Sequence, residues 1–122
     1  MNRLDHIGIY VKDIEKSLRF YEKVFDWKPI RQYNSGEAKI AVLTIGHGLI
    51  EIVQRPGSPS KAPDGNWSHI ALHVDGWSAV IAKLEKMELE LRKVTMADGS
   101  QIAFFKDPDG HMIEIMEKGF TA

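Results

Sequence analysis

Two histidines and two glutamates recur in this sequence at one spacing. His6 and Glu51 are separated by 45 positions, and so are His69 and Glu114. A shift of 63 positions lays His6-Ile7-Gly8-Ile9-Tyr10-Val11 on His69-Ile70-Ala71-Leu72-His73-Val74, and Leu49-Ile50-Glu51-Ile52-Val53 on Met112-Ile113-Glu114-Ile115-Met116. Two imidazoles and two carboxylates form a donor set for a hard-to-borderline divalent ion such as Zn, Ni, Co, Mn or Fe. Octahedral geometry would leave two positions for water, or for a substrate that presents two adjacent oxygens. The ion would then act as a Lewis acid and acidify a C–H beside a carbonyl by stabilising the enediolate. A ligating glutamate that detaches could serve as the base, within reach of that carbon.

The elements that must position these groups can be read from periodicity. Leu4 to Val11 alternates, with Ile7, Ile9 and Val11 on one face and His6, Gly8 and Tyr10 on the other, which predicts a strand. Asp13 is an N-cap candidate, and Ile14, Leu18, Tyr21 and Phe25 follow at helical spacing. Strands are expected at Trp27–Tyr33, Lys39–Ile45 and Leu49–Gln54, with turns at Asn34-Ser35-Gly36 and Gly46-His47-Gly48. The pattern restarts with a strand His69–Val74, a helix Ser78–Met87, and strands near Leu91–Val94, Gln101–Phe105 and Met112–Glu117. Each half therefore reads βαβββ, and the fold class is α+β: two tandem βαβββ modules forming a concave sheet around a metal site. Residues 1–55 form the first module and 67–118 the second. The linker at 56–66 holds three prolines and two glycines, and the 122 residues together make one domain.

A sheet buries one face against its helix. In the first strand of each module that face is Ile7, Ile9, Val11 and Ile70, Leu72, Val74. In the last strand it is Ile50, Ile52 and Ile113, Ile115. His6, Glu51, His69 and Glu114 are thereby expected on the helix-free face, where a ligand cavity would lie. Any one of these residues alone would usually be a structural or surface residue. Repetition of both pairs at a shared offset is the informative part, because fold symmetry gives no reason to repeat an inward-facing glutamate that is costly to bury unpaired.

Other residues carry less. Tyr10 shares the face of His6, and His73 that of His69. Met112 and Met116 flank Glu114, so Tyr10, His73 and Met116 are candidate substrate contacts or packed walls. His47 and His111 are expected at the surface beside turns. Asp107 and Asp109 read as turn formers, without the spacing of an EF-hand calcium loop. There is no P-loop, dinucleotide fingerprint or nucleophile elbow.

Composition narrows the remaining classes. A net charge of -1 gives no reason to expect nucleic acid or an anionic membrane as partner. The absence of cysteine removes disulfides, thiolate ligands and a cysteine nucleophile. No stretch reads as a signal peptide or reaches the roughly 20 apolar residues of a membrane span, so a cytoplasmic location is expected.

These residues resemble the vicinal oxygen chelate superfamily, whose best-known member is glyoxalase I (lactoylglutathione lyase). The resemblance is carried by Leu4-Asp5-His6-Ile7-Gly8-Ile9, Asp13-Ile14, Ser17-Leu18-Arg19-Phe20-Tyr21, Ile50-Glu51-Ile52, His69 to Val74, and Ile102 to Ile115 with its aromatic strand and Asp107-Pro108-Asp109-Gly110 turn. It spans nearly the whole chain. It implies a metal-binding lyase or isomerase with His6, Glu51, His69 and Glu114 as ligands. It implies Glu114 as principal base with Glu51 as its counterpart, and proton transfer on a methylglyoxal–thiol hemithioacetal. It also implies a homodimer whose sites combine modules of both chains. Glutathione-dependent members tend to carry Arg where this chain has Tyr10, so the thiol is left open. A methylmalonyl-CoA epimerase-like enzyme is the nearest alternative, although such enzymes tend to have Gln at the position of Glu51. Ring-cleaving dioxygenases and fosfomycin-modifying enzymes use two His and one Glu, and antibiotic-sequestering members lack the ligands.

Overall fold

The computed structural model describes residues 5–57 and 68–120. These form two compact units. The first holds β1 (Ile7–Tyr10), α1 (Ile14–Phe25), β2 (Pro29–Ser35), β3 (Ala38–Ile45) and β4 (Gly48–Gln54). The second holds β5 (Ile70–His73), α2 (Trp77–Lys86), β6 (Arg92–Thr95), β7 (Gln101–Lys106) and β8 (Met112–Met116). Both units are βαβββ. Their four-stranded sheets run β1-β4-β3-β2 and β5-β8-β7-β6, each with one parallel pair at its edge. The linker expected over Pro56–Asn66 lies, beyond Gly57, outside the described residues.

The sequence repeat is also a register repeat. Gly8 pairs with Glu51 and Ile9 with Ile52 in the first sheet; Ala71 pairs with Glu114 and Leu72 with Ile115 in the second. Each of these positions moves by the same 63 residues. Because side chains alternate across a strand, this register puts both glutamates on the face opposite Ile50, Ile52, Ile113 and Ile115. Those four isoleucines are buried, packed among Ala41 and Leu43 in one unit and Ala103 and Phe105 in the other.

Helix α1 forms because its ends are specified. Asp13 Oδ1 accepts a hydrogen bond from the Lys16 backbone N–H at 3.2 Å, and Asp26 closes the last turn with φ +59°. Its buried stripe is Ile14, Ser17, Tyr21 and Val24, with the expected Leu18 and Phe25 only half-buried. Ser17 is fully buried, and α1 packs on β3 and β4. The Gln54 side chain accepts from the Ile14 N–H at 2.8 Å and ties the helix start to the end of β4. Trp27 stacks on Phe25 at 4.6 Å and on Tyr21 at 5.5 Å, covering the helix end.

Helix α2 begins one residue earlier than the sequence indicates, at Trp77 behind Gly76, which makes no side-chain cap. It ends at Lys86 because Glu88 takes φ +60° and stops propagation. Strand β2 begins at Pro29 and runs to Ser35, into the expected turn. The two-residue loop is Gly36-Glu37, with Gly36 at φ +59° in the first loop position, as a type II′ turn requires.

One expectation is overturned. His111 is buried rather than at the surface. The β7–β8 turn folds inward because the Asp107 Oδ1 accepts the backbone N–H groups of both Asp109, at 2.9 Å, and His111, at 2.8 Å. Asp107 and Asp109 are buried with it. His47 is exposed in its hairpin loop, as expected. No helix among the described residues is long and apolar enough to cross a membrane.

Candidate metal centre

Each unit brings one histidine and one glutamate together. In the second, His69 Nε2 lies 2.9 Å from Glu114 Oε1; in the first, His6 Nε2 lies 3.9 Å from Glu51 Oε2. The histidines sit just before the edge strands β1 and β5, and the glutamates lie in the neighbouring strands β4 and β8. A two-residue offset along parallel strands places His6 beside Glu51 over Gly8, and His69 beside Glu114 over Ala71. A Cβ on Gly8 would meet Glu51 Oε1 at 3.6 Å, an ordinary contact, and Ala71 supplies that Cβ in the second unit. Small residues at these two positions leave the carboxylates room above the sheet.

The repeat extends one residue further back than the ligand candidates. Asp5 Oδ1 lies 2.7 Å from His6 Nδ1, and Ser68 Oγ lies 2.8 Å from His69 Nδ1. Asp5 and Ser68 are related by the same shift of 63. A carboxylate can only accept, so His6 carries its proton on Nδ1 when neutral and keeps the Nε2 lone pair for an ion. The hydrogen bond to Asp5 is the largest influence on His6. It holds the imidazole pKa above its ordinary value, with the nearby Glu51 charge adding to the effect and loss of hydration opposing it. These orienting neighbours were not identified from residue types alone. Carrying the repeat one position toward the N-terminus finds them.

The 2.9 Å His69–Glu114 separation is that of a direct hydrogen bond. The His6–Glu51 pair is looser and more exposed. Among the described residues, no group of three or more His, Asp or Glu converges. The four ligand candidates thus stand as two pairs, one per unit.

Across each sheet, the row through the glutamate ends on an arginine of the edge strand. In the first sheet it reads Gly8, Glu51, Val42, Arg31; in the second, Ala71, Glu114, Phe104, Arg92. Phe104 presents its ring to His69 in an edge arrangement at 6.0 Å, and the Arg92 guanidinium sits over the same ring at 4.3 Å. Beside them is a cavity of about 450 Å³ lined by Glu90, Leu91, Arg92, Phe104, Phe105, Lys106 and Met112. That volume lies within the range of small-ligand pockets.

The remaining candidates are placed as follows. Tyr10 is exposed, with Arg55 over its ring at 5.1 Å. His73 pairs in register with Met116, which is buried. The chain after β8 passes against His73, where a Cβ on Gly119 would come within 3.3 Å of the ring. None of these three lines the cavity.

Residues 3–115 match the Glyoxalase/Bleomycin resistance protein/Dioxygenase superfamily. A lactoylglutathione lyase of Escherichia coli O157:H7 is 31% identical over 128 residues, covering 95% of this chain and 93% of that protein. The trypanothione-dependent glyoxalase I of Leishmania major superimposes with a TM-score of 0.81 at 24% identity, over 95% of this chain and 86% of the other. The fosfomycin resistance protein FosX of Listeria monocytogenes, solved with Mn(II) and sulfate, superimposes with a TM-score of 0.77 at 18% identity, over 98% and 95%. Both structural likenesses speak to the fold.

Proposed function

The chain belongs to the glyoxalase/bleomycin resistance protein/dioxygenase superfamily, and from that premise we propose that it is a metal-dependent glyoxalase I-like enzyme. Its reaction is proton transfer between adjacent carbons of an α-oxo substrate, with a methylglyoxal–thiol hemithioacetal as the substrate type. The observation that carries this reading is the repeated pair: His6 with Glu51, and His69 with Glu114, each histidine held at Nδ1 by the preceding side chain. The relatives named lactoylglutathione lyase support the reaction class, and the Mn(II)-containing FosX supports a divalent ion on this fold.

His6, Glu51, His69 and Glu114 would hold the ion, which supplies Lewis acidity toward two neighbouring substrate oxygens when bound. The assembly is a homodimer in which His6 and Glu51 of one chain meet His69 and Glu114 of the other. Glu114 is the principal base. It is the more buried of the two carboxylates and lies 2.9 Å from His69 Nε2. It takes a proton from one substrate carbon and returns it to the neighbour, with Glu51 facing the other side.

Metal analysis of the purified protein, followed by solvent-proton exchange on methylglyoxal hemithioacetals of several thiols, tests the reading. Stoichiometric divalent metal and exchange at the hemithioacetal carbon are expected. Absence of exchange with every thiol, together with O₂ consumption on a catechol with Fe(II), overturns it.

A further inference from the structure

We infer that His6 and His69 rest in opposite neutral tautomers when the protein is stripped of metal, and that Ser68 is the positioning residue that lets His69 reverse its tautomer to become a ligand. The inference rests on the reading that both histidines are metal ligands.

The two modules differ at each histidine nitrogen. At Nε2, His69 faces Glu114 Oε1 at 2.9 Å, the distance of a direct hydrogen bond. His6 faces Glu51 Oε2 at 3.9 Å, beyond hydrogen-bond reach. A carboxylate can only accept, so the proton between His69 and Glu114 belongs to Nε2. At Nδ1 the neighbours differ in kind. Asp5 Oδ1, 2.7 Å from His6, accepts and does not donate; the Ser68 hydroxyl, 2.8 Å from His69, does either. A neutral imidazole has one N–H and one lone pair. His6 therefore carries its proton on Nδ1 and presents a lone pair at Nε2. His69 carries its proton on Nε2 and accepts at Nδ1 from the Ser68 hydroxyl.

Only one of these arrangements is ready for an ion. A ligating nitrogen needs its lone pair, and the other ring nitrogen then gives its N–H to an acceptor. His6 meets both conditions as it stands. His69 meets them after one change. The Nε2 proton leaves to solvent, a solvent proton is taken up at Nδ1, and the Ser68 O–H rotates so that its oxygen accepts. The imidazole gains and loses one proton and ends neutral. Ser68 and His69 are both exposed, so water reaches them. The ring need not turn, because Nε2 and Nδ1 already face Glu114 and Ser68. A two-way neighbour is what this histidine requires, because its partner at Nε2 is the close one. The looser pair leaves His6 free to take an acceptor-only neighbour.

Nitrogen NMR of histidine-labelled protein tests this. The protein is stripped of metal and held at about pH 9, where ordinary imidazoles are neutral. His69 should show its proton on Nε2, and His6 on Nδ1. In Asp5→Ser, whose hydroxyl permits both roles, His6 should become a mixture of tautomers. Adding NMR-active cadmium should move the His69 proton to Nδ1 and couple Nε2 to the metal, while His6 keeps its proton on Nδ1. Ser68→Ala should bind Zn(II) about tenfold more weakly, and Ser68→Thr, which returns the hydroxyl, should recover most of that loss. The same proton position on both rings in the parent, or an unchanged Zn(II) affinity in Ser68→Ala, would overturn the proposal. A loss that Ser68→Thr does not repair assigns the effect to packing and removes the role of the hydroxyl. Opposite tautomers with no cadmium coupling at either ring would establish the resting asymmetry and overturn the ligand reading on which the reversal depends.

Discussion

Glu114 Oε1 lies 2.9 Å from His69 Nε2, whereas the equivalent atoms of Glu51 and His6 are 3.9 Å apart. The two pairs share register and face but differ in tightness, burial and support. The close pair is the more buried and has a serine behind its histidine; the loose pair is wetter and has an aspartate. The aspartate behind the loose pair's histidine is the main reason that imidazole's pKa is raised.

Loss of either member of the close pair should release the metal. His69→Ala and Glu114→Ala are each expected to lower metal affinity by at least a hundredfold, because each removes a direct ligand from a four-ligand set. Metal content after dialysis against a weak chelator checks this. Stoichiometric metal retained by the double variant contradicts the ligand assignment.

Asp5 should control the protonation of His6. Its hydrogen bond is the main reason the imidazole pKa is raised, so in metal-free protein His6 should titrate above an ordinary histidine. Asp5→Asn should bring it down. Metal binds neutral imidazole. As pH falls through the raised pKa, the parent therefore loses metal to protons, and Asp5→Asn should shift that loss to lower pH. The same variant removes the carboxylate that orients the ring, so its affinity at neutral pH should drop by about 10–100-fold. NMR titration of His6 and metal binding against pH provide the two readouts.

Mixed dimers should separate intrachain from interchain sites. His6→Ala and Glu114→Ala homodimers are each expected to be inactive. If His6 and Glu51 of one chain meet His69 and Glu114 of the other, a heterodimer of these variants carries both lesions in one site and leaves the second intact. Activity should then approach half the parental value per dimer. No recovery in heterodimers verified by mass contradicts the cross-chain arrangement.

The β7–β8 turn should be a point of stability. Asp107→Ala strands two buried backbone N–H groups, those of Asp109 and His111, and should cost about 2–4 kcal/mol by denaturant unfolding. Gly8→Ala should be nearly neutral, because its Cβ meets Glu51 at an ordinary distance and Ala71 already occupies the matching position.

The sequence repeat and the strand alternation were enough to read the βαβββ units, the order of elements and the face on which His6, Glu51, His69 and Glu114 stand. These features follow from periodicity, which local sequence carries. Loop ends were less legible: β2 extends to Ser35 because Gly36 takes the first loop position, and α2 stops where Glu88 adopts a left-handed backbone. His111 was misread because adjacency to a turn says nothing about whether that turn folds inward. Asp107 decides it by capturing two backbone donors. The cavity at Arg92, Phe104 and Lys106 was invisible for a different reason. It depends on the pairing of β6 with β7, and register between strands is a tertiary property that single-strand periodicity does not encode.

Glu114→Gln tests the central claim most directly. The amide keeps an oxygen for the ion but cannot accept the substrate proton. The metal-loaded variant should retain near-stoichiometric metal and a KM close to the parent, while kcat for the methylglyoxal hemithioacetal falls by about 10²–10⁴-fold and solvent-proton exchange falls with it. A variant that holds its metal and turns over like the parent would show that Glu114 is not the base and that the proton is moved elsewhere.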